Sequence, residues 1–169
     1  EEVRAMAREV AQAQNRPGWC FTLQMPFYLP LMQYADDRSL RERMYRAHAT
    51  RASEFGPPER DNGPLIERIL ALRGEEALLL GYPDYASYSL VPKMANEPEE
   101  VASFLRELAA RAKPFALRDL EELRAFARDR LGLDPLEPWD IAYASEKLRQ
   151  ARYDYSRSEE HTSELQSRL

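Results

Sequence analysis

Side chains able to hold a metal or attack a carbonyl are few in this sequence. It has two histidines, His48 and His161, and one cysteine, Cys20. A catalytic zinc takes three protein ligands and leaves a fourth position for water. One helical signature of such a site is H-E-x-x-H, in which two histidines share a helix face. His48 is followed by Ala49 and Thr50, and His161 by Thr162 and Ser163, so neither begins that motif. No G-x-S-x-G elbow presents a serine nucleophile either. The residues by themselves therefore assign no catalytic, cofactor-binding or metal-ligating position.

Each remaining candidate has an ordinary structural reading. His48 falls on an apolar helix face and reads as a semi-buried aromatic ring. Cys20 lies between Trp19 and Phe21 and reads as a small apolar residue, with no adjacent Lys or Arg to lower its pKa. The acid pairs Asp36-Asp37, Glu75-Glu76, Glu99-Glu100 and Glu121-Glu122 offer acid-base chemistry in principle. Their places at caps and on polar turns instead suit them to helix N-termini and solvated surface. The tyrosine-rich stretch GYPDYASYSL could stack on a ligand, but amphipathic rings packing at a helix junction explain it more simply.

The elements that would position these residues are helical almost throughout. Val3, Met6, Val10 and Ala13 recur at helical spacing, and Asn15-Arg16-Pro17-Gly18 ends that segment. Trp19 to Leu23 is a short strand or an extended connector. Pro26 opens a short helix, with Pro30 placed in its first turn. Asp36 or Asp37 caps the next helix, whose face carries Leu40, Met44, Ala47, His48 and Arg51. Glu54 to Pro64 is a loop. Asn62 then caps a helix with the stripe Ile66, Ile69, Leu70, Arg73, Ala77 and Leu80, which Gly81 terminates. Asn96 caps a long segment with Val101, Phe104, Leu105, Leu108 and Ala112 on one side. Pro114 is expected to kink or split it before Leu117, Leu120, Leu123, Phe126 and Ala127 continue to Gly132. Pro138 opens the last helical segment. The expected class is all-α, packed as helical hairpins or a bundle, with at most one short strand near residues 19–23.

Composition excludes some function classes. A net charge of -5, with arginine and glutamate interleaved along helices, argues against a nucleic-acid partner, which needs a concentrated positive face. No apolar run approaches the roughly 20 residues that span a bilayer, so no membrane partner is expected. A single cysteine permits no internal disulfide and fits a reducing, cytoplasmic compartment.

Several blocks in register then resemble a known family. FTLQMPFYLPLMQYADDRSLRERMYRAHATRAS is followed by DNGPLIERILALRGEEALLLGYPDYASYSLVPKMANEPEEVASFLRELAARAKP and by EPWDIAYASEKLRQARYDYS. Leu40 to Ala47, Thr50 to Ser53, Ile69 to Arg73 and Pro138 to Tyr143 are the most telling. Together they resemble the thimet oligopeptidase family of zinc metallopeptidases over residues 1–156. The resemblance implies part of a large, zincin-like helical hydrolase whose deep channel admits only short peptides. It also implies a zinc held by an H-E-x-x-H helix and a downstream glutamate, the motif glutamate activating the attacking water. No position of this chain matches any of those residues, so the resemblance carries no catalytic or metal site onto it. Many relatives place a second tyrosine after the one matching Tyr143, where this chain has Ala144. If that tyrosine faces substrate, Ala144 widens the contact. Trp139 and Tyr143 are candidates either for facing the channel or for packing.

Residues 157–169 (RSEEHTSELQSRL) look like the in-frame translation of a sequencing adapter and are expected to be a non-native, disordered tail. On this reading residues 1–156 are helical channel wall and scaffold, severed from a C-terminal catalytic half that binds the zinc. Isolated, the chain is then expected to be inactive. The alternative is a stand-alone helical protein-interaction module without catalysis.

Overall fold

Helix breakers and glycines in left-handed conformation divide the chain into seven α-helices among the described residues, which are 2–153 of the computed structural model. They are α1 (Glu2–Ala13), α2 (Met25–Tyr34), α3 (Arg38–Ala49), α4 (Gly63–Leu79), α5 (Tyr85–Leu90), α6 (Pro98–Leu131) and α7 (Ile141–Tyr153). Single 3-10 turns occur at Pro58–Arg60 and Pro138–Asp140. No strand forms among these residues. Trp19 to Leu23 is an extended connector, tied to α1 by the Cys20 N–H donating to the Ala7 carbonyl at 2.9 Å. The all-α expectation holds.

The chain forms two compact units. The first joins the stretch up to Ala49 with the stretch from Leu120 onward, and the second is Thr50–Asp119. In the first unit α2 packs against α1, α3 and α7, and α3 packs against the 3-10 turn Pro138–Asp140. Its buried apolar residues include Ala7 and Ala11 on α1, Phe27, Leu31 and Met32 on α2, and Leu123, Ala127 and Ala144 from α6 and α7. The innermost line of α1 is thus Ala7 and Ala11 rather than the larger neighbours that the spacing singled out. Small side chains let the helix backbone approach its partner closely. Leu131, Leu133, Leu136 and Leu148 close over the Leu123–Ala127–Ala144 cluster.

In the second unit α4 packs against α5. Asp84 caps α5 by accepting the Ser87 N–H at 2.7 Å. Gly81 ends α4 as expected, with φ +82. The Gly81 N–H donates to Leu78 and the Tyr82 N–H to Ala77, the paired bonds of a left-handed helix stop. Nothing lies within 4 Å of a Cβ built at Gly81, so backbone conformation alone opposes a side chain there. Gly81→Ala is expected to destabilise the second unit by about 1 kcal/mol, read as a lower urea midpoint with an unchanged slope.

Proline lies inside two of the helices. Pro30 lies inside α2 rather than in its first turn, and Pro114 does not split α6, which runs unbroken through it. Proline removes one amide donor and crowds the carbonyl four residues back. At Pro114 that carbonyl belongs to Ala110, both residues are exposed, and water can take the freed acceptor. Of the two caps offered for α3, Asp37 is the one used, accepting from the Ser39 and Leu40 N–H groups. The other caps differ from expectation. Asn62 occupies the cap position of α4 without a side-chain bond, and Asp61 accepts the Gly63 N–H instead. Before α6 the Glu100 carboxylate accepts the Asn96 backbone N–H, the reverse of the expected cap.

Candidate functional site

Among the described residues, the most highly organised group of ionisable side chains lies inside the first unit, where α3 meets the start of α7. Glu137 and Asp140 flank Pro138 and Trp139 as a reciprocal cap: each side chain accepts the other's backbone N–H. That turn fixes the Asp140 carboxylate toward α3. Arg38 and Arg41, one turn apart on α3, converge on it from the other side.

Asp140 is 0% exposed and Arg41 is 1% exposed. Arg41 Nη2 donates to Asp140 Oδ1 at 2.8 Å, and Arg38 Nη2 donates to Oδ2 at 2.7 Å. Arg38 Nε adds bonds of 3.2 and 3.0 Å to the two oxygens, and the Glu137 N–H adds one of 3.2 Å to Oδ2. Arg41 Nη1 meanwhile donates to the carbonyls of Ala35 and Asp36, at 2.7 and 3.1 Å, which fastens the α2–α3 corner. The Arg41 guanidinium stands 4.1 Å from the centre of the Tyr143 ring, whose hydroxyl donates to Asp36 Oδ1 at 2.8 Å. One turn further along α7, the buried Glu146 accepts from Arg149 at 2.6 Å, Gln150 at 2.9 Å and Tyr34 at 3.3 Å.

The electrostatics follow from this packing. Burial pushes the Asp140 carboxyl up. The hydrogen bonds from Arg38 and Arg41, that from the Glu137 amide, and the Arg38 charge outweigh it and hold the group below its ordinary 3.8. Burial, the bond to Asp36 and the Asp36 charge push the Tyr143 hydroxyl up, although Arg41 opposes them. An ionised carboxylate with both oxygens engaged and no exposed surface has neither a proton to give nor room to take one from a substrate. The cluster is a clamp. A carboxyl whose folded pKa is depressed contributes stability that is present above its unfolded pKa and lost as pH falls through the folded value. The first unit is therefore expected to lose stability as pH is lowered below about 3.8. Urea midpoints measured across that range should fall in the native chain and much less in Asp140→Asn.

The residues singled out by type are scattered by comparison. His48 stacks on Tyr28 with ring centres 4.2 Å apart and planes 20° from parallel. Burial, then the neighbouring Tyr45, push the Tyr28 hydroxyl up. The Cys20 thiol faces Gln14 Oε1 at 3.7 Å. Glu99 accepts from Ser103 and Arg106, and Glu122 pairs with Arg152. The tyrosines of GYPDYASYSL pack on one another, Tyr82 and Tyr85 each against Tyr88, with Arg73 over Tyr85. Trp139 meets Tyr45 edge-on, and Arg46 stands over it. Both channel-facing candidates, Trp139 and Tyr143, thus make packing contacts within the first unit. Ala144 is wholly buried against Leu123 and Ala127 rather than lining an open surface. His161 and the stretch 157–169 lie outside the described residues.

The described residues do not fit a catalytic zinc. No three His, Cys, Asp or Glu side chains among them come together as a ligand set, and one face of the His48 ring is covered by Tyr28. No helix among them is long and apolar enough to cross a membrane.

Comparison with known proteins adds what geometry alone lacks. Residues 31–166 match the model of Peptidase family M3. The chain is 49% identical over 158 residues to oligopeptidase A of Salmonella typhimurium, covering 92% of this chain and 23% of that protein. Identity to oligopeptidase A of Escherichia coli strain K12 is also 49%, with the same coverage. The probable cytosolic oligopeptidase A of Arabidopsis thaliana is 42% identical over 153 residues, covering 89% of this chain and 21% of that protein. The chain therefore spans less than a quarter of the length of these curated relatives.

Proposed function

Because this chain belongs to peptidase family M3, we propose that it is the helical scaffold portion of a zinc metallo-endopeptidase of the oligopeptidase A type, whose substrates are short peptides. The zinc and the groups that activate water are supplied by polypeptide outside residues 1–156. When bound, that metal polarises the scissile carbonyl and lowers the pKa of its water. The residues described here do other work. Arg38, Arg41 and Asp140 lock α3 to the 3-10 turn that leads into α7, and Tyr143 and Asp36 brace the same corner.

The observation that carries this reading is the saturation of the clamp. Its buried carboxylate is spent on internal donors, as a part that holds shape requires and a part that performs acid-base chemistry cannot afford. Under the same reading residues 157–169 are not native sequence, and the working location is the cytoplasm. Large apolar side chains left exposed on α4 and α6, Ile66, Leu70, Phe104 and Phe115 among them, favour a portion of a larger enzyme over a self-sufficient interaction module.

The test is direct. The purified chain of 169 residues is expected to hydrolyse no short fluorogenic peptide, with or without added zinc, and to bind zinc at less than one equivalent. Cleavage by the pure chain that a chelator abolishes would overturn the proposal.

A further inference from the structure

The strongest unclaimed feature lies on α4, one of the helices outside the clamp. α4 presents Leu65, Ile66, Ile69, Leu70 and Leu72, each between 45% and 61% exposed. At 100° per residue these five span about 160° of the helix circumference, wider than the roughly 100° stripe of an ordinary surface helix. Within the second unit the helix buries only Ala77, near its C-terminal end, where α5 packs. Its polar residues do not dilute the face. Glu67 and Arg68 lie on the opposite side, while Arg73 marks the C-terminal end of the face and stands over the ring of Tyr85.

Residues 65, 69 and 72, joined by 66 and 70, have the i, i+4, i+7 anchor spacing of a helix laid into an apolar groove. Resting on the proposed function, we infer that this face of α4 docks into an apolar groove formed by the remainder of the M3 peptidase polypeptide, the part of the relatives that this chain does not span.

The choice of occupant rests on coverage and on chain connectivity. Relatives carry more than three-quarters of their length outside the matched span. A surface on the same polypeptide meets α4 at an effective concentration of millimolar order. A second copy of this chain meets it only at its free concentration, so the tethered groove wins wherever the two compete.

The experiment mixes the full chain with the complementary part of the Escherichia coli relative, that enzyme without the span matched here. Sedimentation gives the stoichiometry, and hydrogen-deuterium exchange reports on residues 63–79. A one-to-one complex is expected, with exchange in α4 slowed at least about tenfold. Ile69→Asp with Leu70→Asp should weaken the complex by at least about tenfold, whereas Glu67→Gln with Arg68→Gln leaves it unchanged. A one-to-one complex in which α4 stays unprotected overturns the docking face while sparing the family role. Protection of α4 by self-association of the chain alone overturns the assigned occupant. No complex with a remainder shown by circular dichroism to be folded overturns both. If the remainder does not fold alone, the same exchange measurement is made in a hybrid enzyme with this chain in place of the matched span. Unprotected α4 there, with peptide hydrolysis retained, again overturns the docking face alone.

Discussion

Asp140→Ala is expected to destabilise the first unit by about 3 to 5 kcal/mol, a large fraction of the roughly 5 to 15 kcal/mol that holds an ordinary domain together. The carboxylate is fully buried and receives bonds from Arg38, Arg41 and the Glu137 amide. Truncation leaves the Arg41 guanidinium charged, 1% exposed and without its counter-ion. An uncompensated buried charge is the most damaging consequence of breaking such a pair. The Arg38 side chain, 40% exposed, can instead turn to water, so Arg38→Ala should do much less harm. Urea denaturation followed by far-ultraviolet circular dichroism separates the two variants. Arg41→Met combined with Asp140→Leu removes both charges together and should recover much of the loss, because well-packed apolar pairs often replace buried ion pairs without penalty. A double variant as unstable as Asp140→Ala would show that shape, rather than uncompensated charge, governs the site.

Ala144→Tyr should be the next most damaging change, at about 3 kcal/mol or more. The resemblance read from the sequence places a tyrosine at this position in many relatives, so the substitution looks conservative. Packing says otherwise. Ala144 is 0% exposed and is enclosed by Leu123 and Ala127, with Leu131, Leu133, Leu136 and Leu148 around them. A phenol ring there must displace those leucines or push α7 away from α6. Adding Leu123→Ala to Ala144→Tyr opens space on the facing helix and should restore part of the urea midpoint that the tyrosine alone removes. Additive losses in the double variant would contradict the packing account.

The amphipathic pattern made the helices legible because burial repeats with the helix period and because Gly81 and Gly132 announce stops that only a left-handed backbone makes. At Pro114 the split it allowed does not occur, because an exposed site tolerates a missing amide, and it misled at Asn96, where a carboxylate one turn on accepts the backbone N–H. The clamp was far harder to see. Arg41 and Asp140 are 99 positions apart, and in sequence Arg41 reads as one more of the charges interleaved along the helices. The Glu-Pro-Trp-Asp spacing did hold a local signal, since two acids bracketing a proline-led first turn form a reciprocal cap. That signal finds the position of Asp140 but not its partners, which only tertiary packing supplies. His48, weighed for its chemistry but read as a semi-buried ring, stacks on Tyr28, and the Cys20 thiol faces the Gln14 side chain. Side-chain type says what a group can do, and only its surroundings say whether it is free to do it.

The first unit is discontinuous in sequence, with Thr50–Asp119 intervening between its halves. Its ion pair therefore works as a clasp on a long loop, whose closure entropy is about 4 kcal/mol for a flexible chain of that length. Connectivity then becomes a stabilising element in its own right. A single nick in the intervening stretch would leave every contact of the clamp in place, yet turn the meeting of α3 with α7 from an intramolecular event into an encounter between two peptides, governed by dilution.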